Sequence, residues 1–212
     1  VCTMPHQIGI PSFSPDSQEL AFISGVLSDQ GWVAGDIHIV PIAAGEVRNL
    51  TPDSDHSPTW LTWLNRGILY GARHVNGTHV SWLDPASGAI RVCMSSNDSI
   101  GNGTIQRISV AHDERTFAAI IVGFAKPANV GVGSLDSGDW RQITDLFPEL
   151  ADYPTPRVEH LEWQSPDGTP VEGYLRYPNN YEPGKPFPLV VSPHGGPSSS
   201  YVPTYGLGYS GW

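Results

Sequence analysis

Runs of alternating apolar and polar residues, each closed by a polar turn, recur along the first ~145 residues with a period near ~48. One run begins at Pro11-Ser12-Phe13-Ser14-Pro15-Asp16 and continues through Glu19-Leu20-Ala21-Phe22-Ile23. A second has Pro58-Thr59-Trp60, then Asn65-Arg66-Gly67, then Ile68-Leu69-Tyr70. A third has Ile108-Ser109-Val110, then Asp113-Glu114-Arg115, then Phe117-Ala118-Ala119-Ile120. Each reads as strand, tight turn, strand, with Asp16, Asn65 and Asp113 as turn residues that tolerate left-handed backbone. A second hairpin follows in each unit. Its turns are Ala44-Gly45-Glu46, Asp84-Pro85-Ala86-Ser87-Gly88 and Asp136-Ser137-Gly138-Asp139.

Four short strands per unit is the make-up of a β-propeller blade. One such unit cannot bury both of its faces and must stack on neighbours. Three blades do not close a ring of the usual size, so further blades are expected before Val1. The pattern changes after Leu150. Tyr153-Pro154-Thr155-Pro156 is a stiff extended linker. Residues 157–163 and 171–177 alternate again around the turn Ser165-Pro166-Asp167-Gly168-Thr169, which predicts an antiparallel hairpin. The polar loop 179–186 leads to Phe187-Pro188-Leu189-Val190-Val191-Ser192. Apolar on both faces, that run is expected to be a central strand of a covered sheet. The expectation is a mostly β chain. Residues 1–150 would form a partial β-propeller of about three blades. Residues 151–212 would form the N-terminal, incomplete part of an α/β-hydrolase domain.

The expected strand runs directly into Pro193-His194-Gly195-Gly196-Pro197. A strand followed by an H-G-G loop is the α/β-hydrolase arrangement for one side of an oxyanion hole. When an ester or amide is attacked, its oxygen becomes negative, and a fixed backbone N–H beside it stabilises that charge. Glycines permit the close approach. Pro197 has no N–H, so Gly196 is the expected donor, with Gly195 and His194 shaping the loop. On its own a Gly-Gly turn is only a turn; the hairpin, loop and apolar run before it favour the catalytic reading.

Here the chain resembles the prolyl oligopeptidase family of serine peptidases. The resemblance rests on Pro148-Glu149-Leu150, Val158-Glu159, Trp163-Gln164-Ser165-Pro166-Asp167-Gly168, Val171-Glu172-Gly173-Tyr174-Leu175, Pro186-Phe187-Pro188-Leu189-Val190-Val191 and His194-Gly195-Gly196-Pro197. The H-G-G-P form is similar to the acylaminoacyl-peptidase-like and dipeptidyl-peptidase-like branches; prolyl oligopeptidase itself carries Tyr where this chain has His194. Phe13-Ser14-Pro15-Asp16 and Asn49-Leu50-Thr51-Pro52 also resemble the family, and TolB-like propellers generally. The resemblance implies a peptidase that takes short peptides past a capping propeller and forms an acyl-enzyme on Ser. It further implies a nucleophile in G-x-S-x-G-G, then Asp, then His, all downstream of the loop and absent from these residues. Gly208-Tyr209-Ser210-Gly211-Trp212 follows the loop too closely and has Trp212 where the second Gly belongs. Ser198, Ser199 and Ser200 read as loop or helix-start residues. His194 is expected to position the loop, because the family's base lies near the C-terminus. The piece is therefore expected to be inactive alone.

Composition narrows the alternatives. The chain has 212 residues, 39% apolar and only 15% charged, with 23 Gly and 20 Pro spread along it. A net charge of -10, with no basic run, argues against nucleic-acid binding. No stretch approaches a membrane span. Cys2 and Cys93 read as ordinary thiols, with a disulfide as the alternative. Sequons at Asn49, Asn76, Asn97 and Asn102 are either turn composition or, in a secreted protein, glycan sites; the compartment stays open. No cofactor or metal is expected. The eight His show no metal-binding spacing; His74 and His79 flank a turn and read as solvent-facing, with a cross-strand metal pair as the alternative. Asp36, Asp53, Asp55 and Asp84 read as turn residues. Two other function classes remain: a non-catalytic propeller binding module, and a carboxylesterase or lipase with the same loop.

Overall fold

In the computed structural model, the described residues are 3–28, 31–74, 77–101, 103, 105–195 and 200–206. The first sheet is β1 (Gln7–Phe13), β2 (Glu19–Ser28), β3 (Gly31–Pro41) and β4 (Arg48–Asn49), in that spatial order and antiparallel throughout. The second is β5 (Ser57–Leu64), β6 (Gly67–His74), β7 (Gly77–Leu83) and β8 (Ile90–Ser96). The third contains β9 (Ser99–Ile100), β10 (Ser109–Val110), β11 (Thr116–Gly123), β12 (Lys126–Ser134) and β13 (Trp140–Gln142). Each of these antiparallel sheets has the make-up of a propeller blade.

The turns work differently from the expectation in one respect. The left-handed residues are Ser17 (φ 60°) and Glu114 (φ 54°), one position after the aspartates, and Gly67 after Asn65. The aspartates act as acceptors. Asp16 receives the Gln18 N–H at 3.1 Å and the Ser14 hydroxyl at 2.6 Å. Asp113 receives the Arg115 and Thr116 N–H groups, both at 2.9 Å. A carboxylate can cap N–H groups ahead of it only from the start of the turn, which moves the strained conformation to the next residue.

Alternation along β6 explains why the sheets stack. Ile68, Tyr70 and Ala72 pack with Ile23, Ile37 and Ile39 of the first sheet. Leu69, with Val80 and Trp82 of β7, packs with Ile100, Phe117 and Ile121 of the third. The middle blade is thus buried on both faces. Each enclosed Ile, Leu or Phe contributes roughly 1.5–3 kcal/mol. That outweighs the exposed ion pairs of Arg66 and Arg115 with Asp136, worth about 0–1 kcal/mol each. The outward faces of the flanking blades leave Ile8, Val26 and Ile120 about half exposed.

The first strand of the third blade is broken. Ile100 pairs with Ile121, and Ser109 then pairs with Ala118 on the same edge of β11. Between them the chain makes an excursion that carries Gln106 into the interface, fully buried. Its N–H donates to Thr59 Oγ at 2.9 Å, and Thr59 sits at the irregularity between Pro58 and Trp60 in β5. The Gln106 side chain donates to the Gly103 carbonyl at 2.9 Å. Gly71 makes room for this crossing, since a Cβ there would overlap the Gln106 carbonyl oxygen.

After the blades, a 3-10 turn at Pro148–Asp152 leads to the hairpin β14 (Val158–Gln164) and β15 (Pro170–Arg176). Gly168, at φ 86°, closes its turn, and its N–H donates to the Ser165 carbonyl. Hydrogen bonds from the Ser165 hydroxyl and the Thr169 N–H hold Asp167 down at about 2. The hairpin rests on the third blade. The Tyr174 ring meets Phe124 edge-on at 4.8 Å, with the Arg176 guanidinium 5.8 Å from the Phe124 ring. Burial there pushes the Tyr174 hydroxyl up to about 12. Further on, Arg73 donates to Ser200 Oγ at 2.6 Å and Arg176 to the Gly206 carbonyl, which seats residues 200–206 between the second blade and β15.

One expectation fails. Residues 187–192 form no strand, and Leu189, Val190 and Val191 are 73%, 85% and 79% exposed. A central strand exists only where neighbours accept its ladder bonds, and no described residue offers this run an edge. Trp163 on β14, although paired with Val171 across the hairpin, is half exposed. No helix of the described residues is long and apolar enough to cross a membrane.

Two outcomes follow from this packing. Gly71→Ala should destabilise the protein by about 3 kcal/mol, seen as a lower urea midpoint with unchanged slope; an unchanged midpoint would contradict the close crossing. Tyr174→Ala should cost about 1.5–2.5 kcal/mol locally. Amide exchange should accelerate in β14 and β15 while protection in β5–β7 is kept.

Candidate functional site

Tyr201 donates its hydroxyl to the Ser192 carbonyl at 3.0 Å and lies 3.0 Å from Ser192 Oγ. The His194 ring sits 6.4 Å from the Tyr201 ring, edge to face, and is exposed. Its Nδ1 lies 3.2 Å from the Gly195 carbonyl. A Cβ on Gly195 would meet open space, so this glycine is not demanded by its present surroundings. Gly196, Pro197, Ser198, Ser199 and Ser210 lie outside the described residues, so the expected oxyanion donor has no described position. Tyr201 escaped the sequence reading because nothing in the spacing marks it as a brace for Ser192.

A second group of side chains lies at the opposite end of the blades from the Arg66–Asp136 pair. His56 precedes β5, His74 ends β6 and His79 lies in β7, where it pairs with Ala72. His56 is in register with His74 once the Ser57–Arg73 pair is extended by one residue. Ring centroids are 4.7 Å apart for His56–His74, 4.7 Å for His56–His79 and 4.5 Å for His74–His79. Asp55 reaches His56 Nε2 at 3.5 Å and His74 Nε2 at 3.4 Å. Ser95 Oγ lies 3.0 Å from His79 Nε2. Burial, with His56 and His74 adding to it, pushes His79 down to about 4; burial likewise lowers His56, against the pull of Asp55. At neutral pH the His79 ring is therefore neutral.

The solvent-facing expectation for His74 and His79 is therefore corrected. They are half-buried partners of a third ring that a sequence window around the 74–79 turn does not contain. Asp55 is likewise more than a turn residue. Asp36 lies inside β3 and accepts Asn49 Nδ2 at 2.7 Å and the Thr51 hydroxyl at 3.3 Å, which engages the amide nitrogen of that sequon.

Ser95 and His79 are at hydrogen-bond distance, the spacing of a nucleophile and its base. The pair lacks the rest of that machinery. The other nitrogen of His79 is buried with no partner, Asp55 touches the other two rings, and a base held near 4 takes a proton poorly at neutral pH. On the hairpin, His160 lies 3.6 Å from Glu162 and 3.1 Å from Glu172, with both carboxylates well exposed.

No protein-family model matches the chain. Among curated proteins it is similar to a probable dipeptidyl-peptidase 5 of Aspergillus niger, 22% identical over 200 residues that are 93% of this chain and 27% of the relative. A dipeptidyl-peptidase 5 of Arthroderma otae is 24% identical over 216 residues, 93% of this chain and 28% of the relative. The chain thus spans little more than a quarter of the length of the curated relatives it matches. Among solved structures, the acylaminoacyl peptidase of Pyrococcus horikoshii has a TM-score of 0.67 at 17% identity, over 96% of this chain and 30% of that one. The AtxE2 isopeptidase has a TM-score of 0.66 at 15% identity, over 91% of this chain and 28% of that one. With propeller blades, a linking hairpin and peptidase relatives across nine-tenths of its length, this chain carries the resemblance to the prolyl oligopeptidase family in sequence and in fold alike.

Proposed function

We propose that this chain is the junction of a serine peptidase, where a substrate-restricting propeller meets the opening segment of an α/β-hydrolase domain. Residues 1–150 belong to the propeller and 151–212 to the catalytic domain. The observation that carries the proposal is order along the chain: three stacked blades, the β14–β15 hairpin, then His194-Gly195-Gly196-Pro197, within a chain similar to peptidases over more than nine-tenths of its length. Substrates are short peptides, hydrolysed through an acyl-enzyme on a Ser that these 212 residues do not supply. The Gly196 N–H contributes one donor to the oxyanion hole, and Gly195 and His194 shape the loop around it. The full sheet supplies the neighbours that would draw residues 187–192 into a strand.

Purified residues 1–212 should release no product from dipeptidyl or acylaminoacyl anilides; hydrolysis by this piece would overturn the division of labour. An extended protein carrying Ser, Asp and His in that order should hydrolyse them. In it, Gly196→Pro removes the N–H and should lower kcat by about 10²–10³ with little change in KM. Unchanged kcat would sink the donor assignment, and ester hydrolysis without amide hydrolysis would point instead to a carboxylesterase.

A further inference from the structure

We propose that His56, His74 and His79 form a binding site for one divalent first-row transition ion of the zinc class, with Asp55 and Ser95 orienting the rings. The site does not rest on the peptidase reading.

The geometry carries it. One ring nitrogen from each histidine lies within 4.8 Å of the others. Three ligands on a tetrahedral ion at about 2.0–2.1 Å stand about 3.3 Å apart, so modest ring rotations close the gap. The Nε2 atoms already have outer partners: Asp55 for His56 and His74, Ser95 for His79. A metal-binding imidazole is held this way, one nitrogen on a carboxylate or hydroxyl and the other turned to the ion. The Nδ1 atoms of His56 and His79 are buried and have no hydrogen-bond partner. Orphaned buried acceptors are costly, and an ion would satisfy both at once. Three imidazoles leave a fourth position open for water. Imidazole ligands select zinc, nickel or copper over magnesium and calcium, which want oxygen.

The fold gives the ion a role. His56 lies just before the first strand of the middle blade, His74 ends its second and His79 lies in its third. One ion would pin all three at the rim where Arg73, next to His74, holds Ser200. It would stiffen the end of the propeller that receives the C-terminal segment.

The test is a calorimetric titration of tag-free, chelator-treated chain with zinc, and separately with magnesium. One zinc should bind with Kd at or below the micromolar range, magnesium should not, and a hundredfold excess of zinc over Kd should raise Tm by about 5–10 °C. His79→Ala and His56→Ala should abolish binding. Asp55→Asn, at an exposed position, should keep the fold and weaken binding by about 10–100-fold. His160→Ala, in the other histidine–carboxylate group, should change nothing. Should the buried-site variants fail to fold, the wild-type titration and Asp55→Asn decide. The proposal is overturned if the wild-type chain binds no zinc, if affinity is unchanged in Asp55→Asn, or if His160→Ala removes the binding.

Discussion

The middle sheet must be covered on both faces, and most of the architecture depends on that. Strand β6 is apolar at every position from Ile68 to Tyr70 and small at Gly71 and Ala72, so neither face tolerates water. Blades one and three supply the two covers, through Ile23, Ile37 and Ile39 on one side and Ile100, Phe117 and Ile121 on the other. Non-directional apolar burial sets this stacking, and polar groups then choose the alignment. The Thr59–Gln106 contact does so inside the interface, where an unsatisfied amide would be expensive.

The two ends of the blades have different chemistry. At one end, Arg66 donates to Asp136 at 2.7 Å and to the Glu114 carbonyl at 2.9 Å, and Glu114 accepts from Asn65. This exposed clasp joins blades two and three with charge pairs that water screens. At the other end sit the half-buried histidines, with Asp55 exposed beside His56 and His74, and with the Nδ1 atoms of His56 and His79 buried without a hydrogen-bond partner. The C-terminal segment returns to that second end, through Ser200 on Arg73 and Tyr174 on Phe124.

Residues 187–195 show the limit of local pattern. The run reads as a buried strand because a Leu-Val-Val sequence is costly to expose, yet it is exposed. Apolar character states that a segment needs cover. It does not supply the cover, and a sheet forms only when the ladder partners are present. The hairpin β14–β15 escaped that dependence because its two strands pair with each other across the Gly168 turn.

The sequence by itself determined the blades, their turns, the hairpin and the H-G-G motif. These rest on period-two alternation and on turn chemistry, which act between residues close in the chain. It also carried the resemblance to peptidases, through short motifs around residues 148–197. Tertiary structure alone decided that the third blade begins with a broken strand, that Gln106 crosses to Thr59 over Gly71, and that Tyr201 braces Ser192. It also decided that His56 joins His74 and His79, eighteen and more residues away along the chain. The histidine contacts arise where separate strands meet at a blade's end. No spacing rule along one strand encodes them, because the distance that matters is set by pairing register and sheet twist.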